Sequence, residues 1–290
     1  MNQLVIRYNS RLLMMKVPVW VLLPSAKPYS DPAEFYRPGK KFKVVWLLHG
    51  ATCDPEDFLL QEDLLKHAEN RDTMYVMPFA LNSDYSDHME FAGGYPYAKH
   101  FFEELIPFIL NAFPISTDRK DNLIAGYSMG GAGALMLGLM RPDLFSVVMP
   151  LGASQRDDSF LQPYLDLTGP QFRALAESDR KSFPTEYGDP SWGITLKEIN
   201  MIARYPTVRD YVKSPECTGP RLRESIGNPG MPIFFFCCGA KDGAAPKVEQ
   251  LAADMRNLGM SNIDYDLLPG VEHNDGAGTV IAYALNKYGW

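Results

Sequence analysis

Short apolar runs alternate along this chain with longer stretches in which apolar residues recur every three or four positions. The short runs are "KVVWLLHG", "DTMYVMPFA", "NLIAGY", "FSVVMPLGAS", "MPIFFFCCGAKDG" and "IDYDLLPGVEHND". The helical stretches include "PYAKHFFEELIPFILNAF", "PKVEQLAADMRNLG" and "GTVIAYALNKYG". This alternation predicts an α/β fold, with a mostly parallel central sheet covered by helices on both faces.

The N-terminal segment "LVIRYNSRLLMMKVPVWVLLP" allows two interpretations. The part "RLLMMKVPVWVLLPSA", with basic and apolar residues and a small-residue end, resembles a signal peptide, but Lys16, Pro18 and Pro24 interrupt the apolar core that such a peptide needs. We therefore predict two strands with "YNS" at the bend, added as an antiparallel edge to the sheet. On this interpretation the protein is cytoplasmic.

The first helical stretch predicts one apolar face and one polar face. The residues that share the apolar face are Phe101, Leu105, Phe108 and Ile109. Glu103 and Glu104 are expected to lie off this face.

Residues 155–230 break the alternation, with proline, glycine and two or three short helical pieces, such as "QFRALAES" and "TLKEINMIA". We predict a single domain over residues 1–290, with 155–230 as a cap-like insertion over the strand ends. The aromatic residues of this segment are expected to line a closed pocket or to form its own small core. They are Phe160, Tyr164, Phe172, Phe183, Tyr187, Trp192 and Tyr205.

Composition excludes several classes of protein. The 290 residues are 46% apolar and carry a net charge of −7, which argues against nucleic-acid binding. No segment is long and apolar enough to span a membrane. The four cysteines, Cys53, Cys217, Cys237 and Cys238, lack zinc-site spacing and are interpreted as free thiols in a reducing compartment. No metal site is predicted.

The stretch "NLIAGYSMGGAGALMLGLMRP" places Ser128 between an apolar strand and a predicted helix from Gly130 to Arg141. Glycines two residues before and after the serine allow a tight turn, in which a Cβ would collide. This spacing is the nucleophile-elbow pattern, which exposes a serine at the N-terminus of a helix. The alternative is a tight turn with an incidental serine.

A serine hydroxyl needs a base, and the base needs an orienting carboxylate. Behind an elbow the expected chain order is Ser, acid, His. His273 is the only histidine after Ser128, and Asp242 follows the strongest apolar run. We predict a catalytic triad of Ser128, Asp242 and His273. Other carboxylates that compete for the role of the acid are Asp266, Glu272 and Asp275.

The oxyanion of an acyl-transfer intermediate needs two N–H donors. We expect these from Met129, at the start of the helix, and from Ala51, in the loop after "VVWLLHG". His49 is either a competing base or a residue that orders this loop, and its position before Ser128 favours the second role. The remaining histidines, His67, His88 and His100, are interpreted as structural or surface residues.

The combined motifs resemble the esterase D-like, tributyrin esterase branch of the α/β-hydrolases, which includes acetyl and feruloyl esterases. The matching segments include "VVWLLHGATCDPEDFL", "IAGYSMGGAGALMLGLMRPDLFSVVMPLGAS", "CCGAKD" and "PGVEH". The resemblance implies the same triad and the same oxyanion donors, with no cofactor. The chain departs from many relatives at Thr52, Cys53 and Asp54, and again at Asn274 and Asp275.

Three functions remain open at this point. The leading one is a serine carboxylesterase for short acyl esters, with acetylated sugars and aryl esters as candidate substrates. The second uses the same triad for acyl transfer or for thioester hydrolysis, as in formylglutathione-cleaving relatives. The third is a non-catalytic binding module. The expected partner is a small-molecule ester, and a homo-oligomer is possible.

Overall fold

The computed structural model describes residues 1–69, 71–89, 94–178 and 196–290. Its strands, in chain order, are β1 (Asn2–Ser10), β2 (Met15–Leu23), β3 (Lys43–Leu48), β4 (Thr73–Pro78), β5 (Asp87–His88), β6 (Tyr95–Pro96), β7 (Asn122–Tyr127), β8 (Val147–Leu151), β9 (Ile233–Gly239) and β10 (Ile263–Leu268). Within the described residues, β5 pairs only with β6, and the other eight strands form one sheet.

The order of strands in the main sheet is β1-β2-β4-β3-β7-β8-β9-β10. The neighbours from β4 to β10 run parallel, whereas β2 pairs antiparallel with both β1 and β4. The predicted parallel sheet with an antiparallel N-terminal edge is confirmed. Because carboxyl ends of parallel strands share one edge, the loops after β7, β9 and β10 meet there.

The helices are α1 (Pro32–Phe35), α2 (Glu62–Ala68), α3 (Tyr97–His100), α4 (Ile106–Ala112), α5 (Met129–Met140), α6 (Gly169–Ser178), α7 (Leu196–Ile202), α8 (Val208–Val212), α9 (Thr218–Glu224), α10 (Ala245–Asn257) and α11 (Ala277–Lys287). Helix α5 is buried along most of its length, as its small and apolar sequence requires. One core packs α2 and α11 against the sheet through apolar residues such as Leu64, Ile281 and Leu285.

Residues 155–226 form a compact unit, and residues 1–154 with 227–290 form another. The smaller unit has its own core, in which Phe172 and Tyr211 are fully buried. Phe160, Tyr164 and Tyr205 pack against this core, which is the second of the two roles considered for the aromatic residues. Phe183, Tyr187 and Trp192 lie outside the described residues. The cap-like placement over the strand ends stays a prediction.

The bend of the N-terminal hairpin begins three residues later than expected from "YNS", residues 8–10. Strand β1 continues through Ser10, and the turn is formed by residues 11–14. Ser10 Oγ accepts a hydrogen bond from the N–H of Leu13 at 2.9 Å. Glu104 Oε1 accepts the N–H groups of Arg11 and Leu12, each at 3.1 Å. A carboxylate distant in sequence therefore holds the turn, and the local sequence carries no signal for it.

A π-helical turn, Phe101–Leu105, separates α3 from α4. The predicted apolar face is otherwise present, since Phe101, Leu105 and Ile109 are buried. Glu104 does not lie off this face as expected, because it contacts the hairpin turn and the imidazole of His100 at 3.0 Å. A π turn adds one residue to the α-helical spacing and so changes which side chains face inward.

Candidate active site

The predicted elbow connects β7 to α5 without an intervening loop. Ser128 has φ 57° and ψ −117°, a strained conformation for a residue with a side chain. A Cβ on Gly126 would lie 2.2 Å from the carbonyl oxygen of Gly130, and a Cβ on Gly130 would lie 2.0 Å from that of Leu48. Both glycines are therefore required by close backbone contacts, which explains the Gly-x-Ser-x-Gly spacing in this chain.

Three side chains, one on the elbow and two on the loops after β9 and β10, form a continuous hydrogen-bonded chain at the carboxyl edge of the sheet. His273 Nε2 lies 3.0 Å from Ser128 Oγ, and His273 Nδ1 lies 2.7 Å from Asp242 Oδ2. The residues predicted as nucleophile, base and acid are thus brought together. This is the arrangement in which an imidazole removes a hydroxyl proton while a carboxylate orients it.

Asp242 is held in place by its own loop. Its side chain is 2% exposed, and its Oδ1 accepts the N–H of Ala244 at 2.8 Å. Two of the three competing carboxylates, Asp266 and Glu272, have other partners. Asp266 binds the hydroxyl of Tyr283 and the ammonium of Lys287, at 2.8 and 2.7 Å. Glu272 pairs with Lys241 at 3.7 Å, on exposed side chains. Only Asp242, of the carboxylates considered, contacts the imidazole.

The hydrogen bond that the imidazole donates to Asp242 raises the pKa of His273 above its ordinary value of 6.5, and this effect exceeds the opposing effect of burial. The carboxylate stabilises the imidazolium form, which is the form produced when the histidine takes a proton from serine. The site therefore contains a base that is strengthened by its neighbour.

His49 orders the loop after β3, as predicted, and its hydrogen bonds leave it no role as a base on Ser128. Its Nδ1 lies 2.8 Å from the carbonyl oxygen of Gly50, and its Nε2 lies 3.1 Å from the N–H of Ala80. An N–H can only donate, so Nε2 accepts and Nδ1 carries the proton. Burial lowers the pKa of His49, which keeps this neutral tautomer.

The two residues predicted to supply oxyanion donors are both near the nucleophile. Met129 is the first residue of α5, where backbone N–H groups have no acceptor within the helix. Ala51 follows Gly50, at which a Cβ would lie 3.6 Å from Ser128 Cβ. The loop that carries Ala51 is thus in contact distance of the elbow.

A cavity of about 250 Å³ opens above the hydroxyl of Ser128. Its lining combines apolar side chains such as Phe58 with polar ones such as Gln61 and Asn274. The positions at which the sequence departs from many relatives are largely here, since Thr52, Cys53, Asp54 and Asn274 all line the cavity. The departures therefore change the cavity wall and leave the hydrogen-bonded chain intact.

One contact at the site has no signal in the sequence beyond its place in the motif. The hydroxyl of Tyr127 donates to the backbone carbonyl of His273 at 2.8 Å, although 145 residues separate the two in the chain. The phenol ring lies beside the imidazole, with 5.2 Å between ring centroids. Tyr127 is the variable residue of Gly-x-Ser, which sequence reasoning left without a role.

The remaining histidines have structural surroundings. His100 is buried between Tyr8 and Ser10, with its Nε2 2.9 Å from the tyrosine hydroxyl. His88 Nε2 lies 2.9 Å from the carbonyl oxygen of Ser83, and His67 is buried on α2. Among the described residues, no group of three or more His, Cys, Asp and Glu side chains is placed to hold a metal ion. No helix in the described part of the chain has the length and apolar character needed to cross a membrane.

Comparison with known proteins gives a family. Residues 13–187 match the family model "Esterase: Putative esterase". A curated relative, an acetyl esterase of Caldicellulosiruptor saccharolyticus, is 28% identical over 155 residues. That match covers 51% of this chain and 55% of the relative, so the chain spans about half the length of this curated relative.

Solved structures share the fold over nearly the whole chain. The fluorophosphonate-binding serine hydrolase F of Staphylococcus aureus, substrate bound, has a TM-score of 0.71 at 21% identity and covers 99% of this chain and 98% of its own. An S-formylglutathione hydrolase of the same organism has a TM-score of 0.67 at 21% identity, covering 99% of both chains. These likenesses confirm the predicted α/β-hydrolase fold.

The matched family segment includes Ser128 but ends before Asp242 and His273. Assignment of the acid and the base therefore depends on the geometry of the loops after β9 and β10.

Proposed function

We propose, from the premise that this chain belongs to the esterase family, that it is a serine carboxylesterase acting on short-chain acyl esters. The observation that carries this proposal is the hydrogen-bonded chain of Ser128, His273 and Asp242 at the edge of the sheet. Each of the three groups is placed for one role in acyl transfer: nucleophile, base and orienting acid.

In the acylation step, Ser128 Oγ attacks the ester carbonyl as its proton passes to His273 Nε2. The imidazolium is stabilised by the buried carboxylate of Asp242. The N–H groups of Met129 and Ala51 stabilise the negative charge on the carbonyl oxygen by donating hydrogen bonds to it. The intermediate collapses when His273 returns the proton to the departing alcohol, which leaves an acyl group on Ser128.

In the deacylation step, water takes the place of the alcohol. His273 removes a proton from the water, which attacks the acyl carbonyl, and the same two N–H groups accept the charge. Collapse of this second intermediate releases the carboxylic acid and returns the proton to Ser128. Every step uses groups of the chain itself, so the mechanism calls for no cofactor.

The cavity supports a preference for short acyl groups. Its volume of about 250 Å³ accommodates an acetyl or butyryl group beside Ser128, whereas a long chain extends beyond it. The acetyl esterase relative supports the same choice. Polar residues such as Gln61 and Asn274 in the lining suit an alcohol that carries hydroxyl groups, which favours acetylated sugars as substrates.

A thioester is the second candidate substrate, supported by the likeness in fold to an S-formylglutathione hydrolase. The same triad attacks either carbonyl, and the difference lies in the leaving group. A non-catalytic binding module is not favoured, since all three residues of the triad are present and in contact.

A cytoplasmic location is part of this proposal. It is supported by Cys217, Cys237 and Cys238, which are buried thiols outside any disulfide in the described residues.

The proposal is tested with nitrophenyl esters of increasing acyl length, alongside acetylated oligosaccharides and a glutathione thioester. We expect acetyl and butyryl esters to be hydrolysed faster than palmitoyl esters. Ser128→Ala should remove activity and covalent labelling by a fluorophosphonate probe, because loss of a nucleophilic serine costs several orders of magnitude in kcat. Retention of about a tenth of the wild-type kcat in Ser128→Ala, or faster turnover of palmitoyl esters, contradicts the proposal.

A further inference from the structure

The imidazole of His273 is located by more than its two side-chain hydrogen bonds. Its own backbone carbonyl accepts a 2.8 Å hydrogen bond from the hydroxyl of Tyr127, the residue directly before the nucleophile. Tyr127 is 5% exposed, and burial raises the pKa of its phenol well above 10, so the hydroxyl keeps the proton that it donates. One elbow thus contacts the base at two points, through consecutive residues.

The ring of Tyr127 is itself confined. Its centroid lies 5.2 Å from that of the His273 imidazole, with 35° between the planes. On another side is Gly152, whose backbone has φ +58°. A Cβ at Gly152 would lie 2.9 Å from Tyr127 Cζ and 3.3 Å from His273 Cε1. The backbone after β8 therefore packs closely against both rings.

The loop that carries His273 has a second attachment two residues earlier. The carbonyl oxygen of Val271 accepts the N–H of Lys241 at 3.1 Å. A Cβ on Gly239 would lie 2.2 Å from the same oxygen, so the two loops are in close contact. The loop is thus anchored to the acid loop at Val271 and to the elbow at His273.

We propose that Tyr127 is a positioning residue, which holds the His273 imidazole between Ser128 and Asp242 by anchoring the backbone of the base to the elbow. The proposal rests on the proposed function for its effect on rate. A shift of about 1 Å in a reacting group is enough to reduce turnover strongly. Loss of this anchor should therefore lower kcat measurably.

Tyr127 also lines the cavity, so a direct contact with substrate is the competing role. The two roles differ in what they alter. Loss of a substrate contact raises KM, whereas a displaced base lowers kcat and leaves KM unchanged. A displaced imidazole also loses part of its hydrogen bond to Asp242, which is the contact that raises its pKa.

The test compares Tyr127→Phe with Tyr283→Phe. The first removes one hydroxyl and keeps the ring; the second removes a hydroxyl that binds Asp266 on an exposed side chain. Three quantities are measured for each variant: kcat and KM for nitrophenyl acetate, the midpoint of urea denaturation, and the pKa of His273 by NMR titration of its imidazole.

We expect kcat of Tyr127→Phe to fall about fivefold, the factor that corresponds to one hydrogen bond of ordinary strength, with KM within about twofold. The pKa of His273 should fall toward 6.5, and Tyr283→Phe should match wild type in both respects. An increase in KM at unchanged kcat overturns the proposal, and so does a loss of stability with kcat and the titration unchanged.

The titration separates this proposal from the proposed function. If wild-type protein hydrolyses no ester and is not labelled by fluorophosphonate, the function fails. The NMR titration then still decides the role of Tyr127, because an unchanged His273 pKa in Tyr127→Phe overturns it without reference to activity.

Discussion

The exchange of Asp242 for asparagine is the sharpest test of the assigned acid. It changes one atom in a buried side chain whose two carboxylate oxygens both have hydrogen-bond partners. In the wild type, Oδ1 accepts the N–H of Ala244 and Oδ2 faces His273 Nδ1. In Asp242→Asn the amide oxygen keeps the Ala244 bond, since an NH₂ group cannot accept it. The amide NH₂ therefore occupies the position of Oδ2 and points at the imidazole.

This orientation forces the wrong tautomer. An NH₂ donates to His273 Nδ1, which must then be the unprotonated nitrogen, and the proton moves to Nε2, which faces Ser128. The imidazole no longer accepts the serine proton, and the imidazolium has also lost its buried counter-charge. The combined loss in kcat is expected to reach about 10⁴-fold, or about 5.4 kcal/mol in activation free energy.

The assay measures kcat for Asp242→Asn beside Asp266→Asn and Asp275→Asn on a nitrophenyl ester, with circular dichroism to establish folding. Asp266 binds Tyr283 and Lys287 instead of the imidazole, so its exchange should leave kcat within about tenfold of wild type, as should that of Asp275. If Asp242→Asn is active while either control is inactive, the loop after β9 is structural and the assigned acid is wrong.

Two further predictions concern pH and the elbow. His273 must be neutral to accept a proton, so kcat/KM should fall on acidification through a single ionisation. Because the pKa of His273 is raised, the midpoint of this fall should lie above 6.5, the ordinary imidazole value. A pH–rate profile with an acid limb below 6.5 would contradict this. Gly130→Ala places a Cβ 2.0 Å from a backbone oxygen, so urea denaturation should show a loss of at least about 2 kcal/mol. Gly243→Ala, which meets nothing within 4 Å, is the matched control, and equal stability of the two variants refutes the packing argument.

The candidate site could be predicted well from the sequence because its signals are local or ordered along the chain. The spacing of Gly126, Ser128 and Gly130 reflects backbone contacts within one turn. Asp242 and His273 follow apolar runs, and parallel strands bring their carboxyl ends to one edge. The contact between Tyr127 and the backbone of His273 has no such signal, since a hydroxyl bound to a distant carbonyl leaves no pattern in composition or spacing.

In the fold, too, features with a local sequence signal could be predicted and features set by distant contacts could not. Strands and helices with clear periodicity were predictable, including the hairpin formed by β1 and β2. The position of its turn was not, because Glu104 on a distant helix binds the N–H groups of Arg11 and Leu12. The π-helical turn that contains Glu104 could not be predicted either, because its sequence keeps an apolar pattern typical of an α-helix.

The parallel pairing of β8 with β9 limits how this chain can be shortened. Val147 pairs with Ile233 at one edge of the sheet, and Leu151 pairs with Cys237 further along. The chain leaves β8 at one edge and must enter β9 at the opposite edge, which takes about a dozen residues at minimum. Residues 155–226 lie within this crossover and fold around their own core. Deletion of that unit leaves nine residues between the strands, 152–154 and 227–232. A replacement linker or helix must therefore bring the whole connection to at least about a dozen residues, whereas a hairpin-sized splice would force β9 to reverse direction and lose its partners.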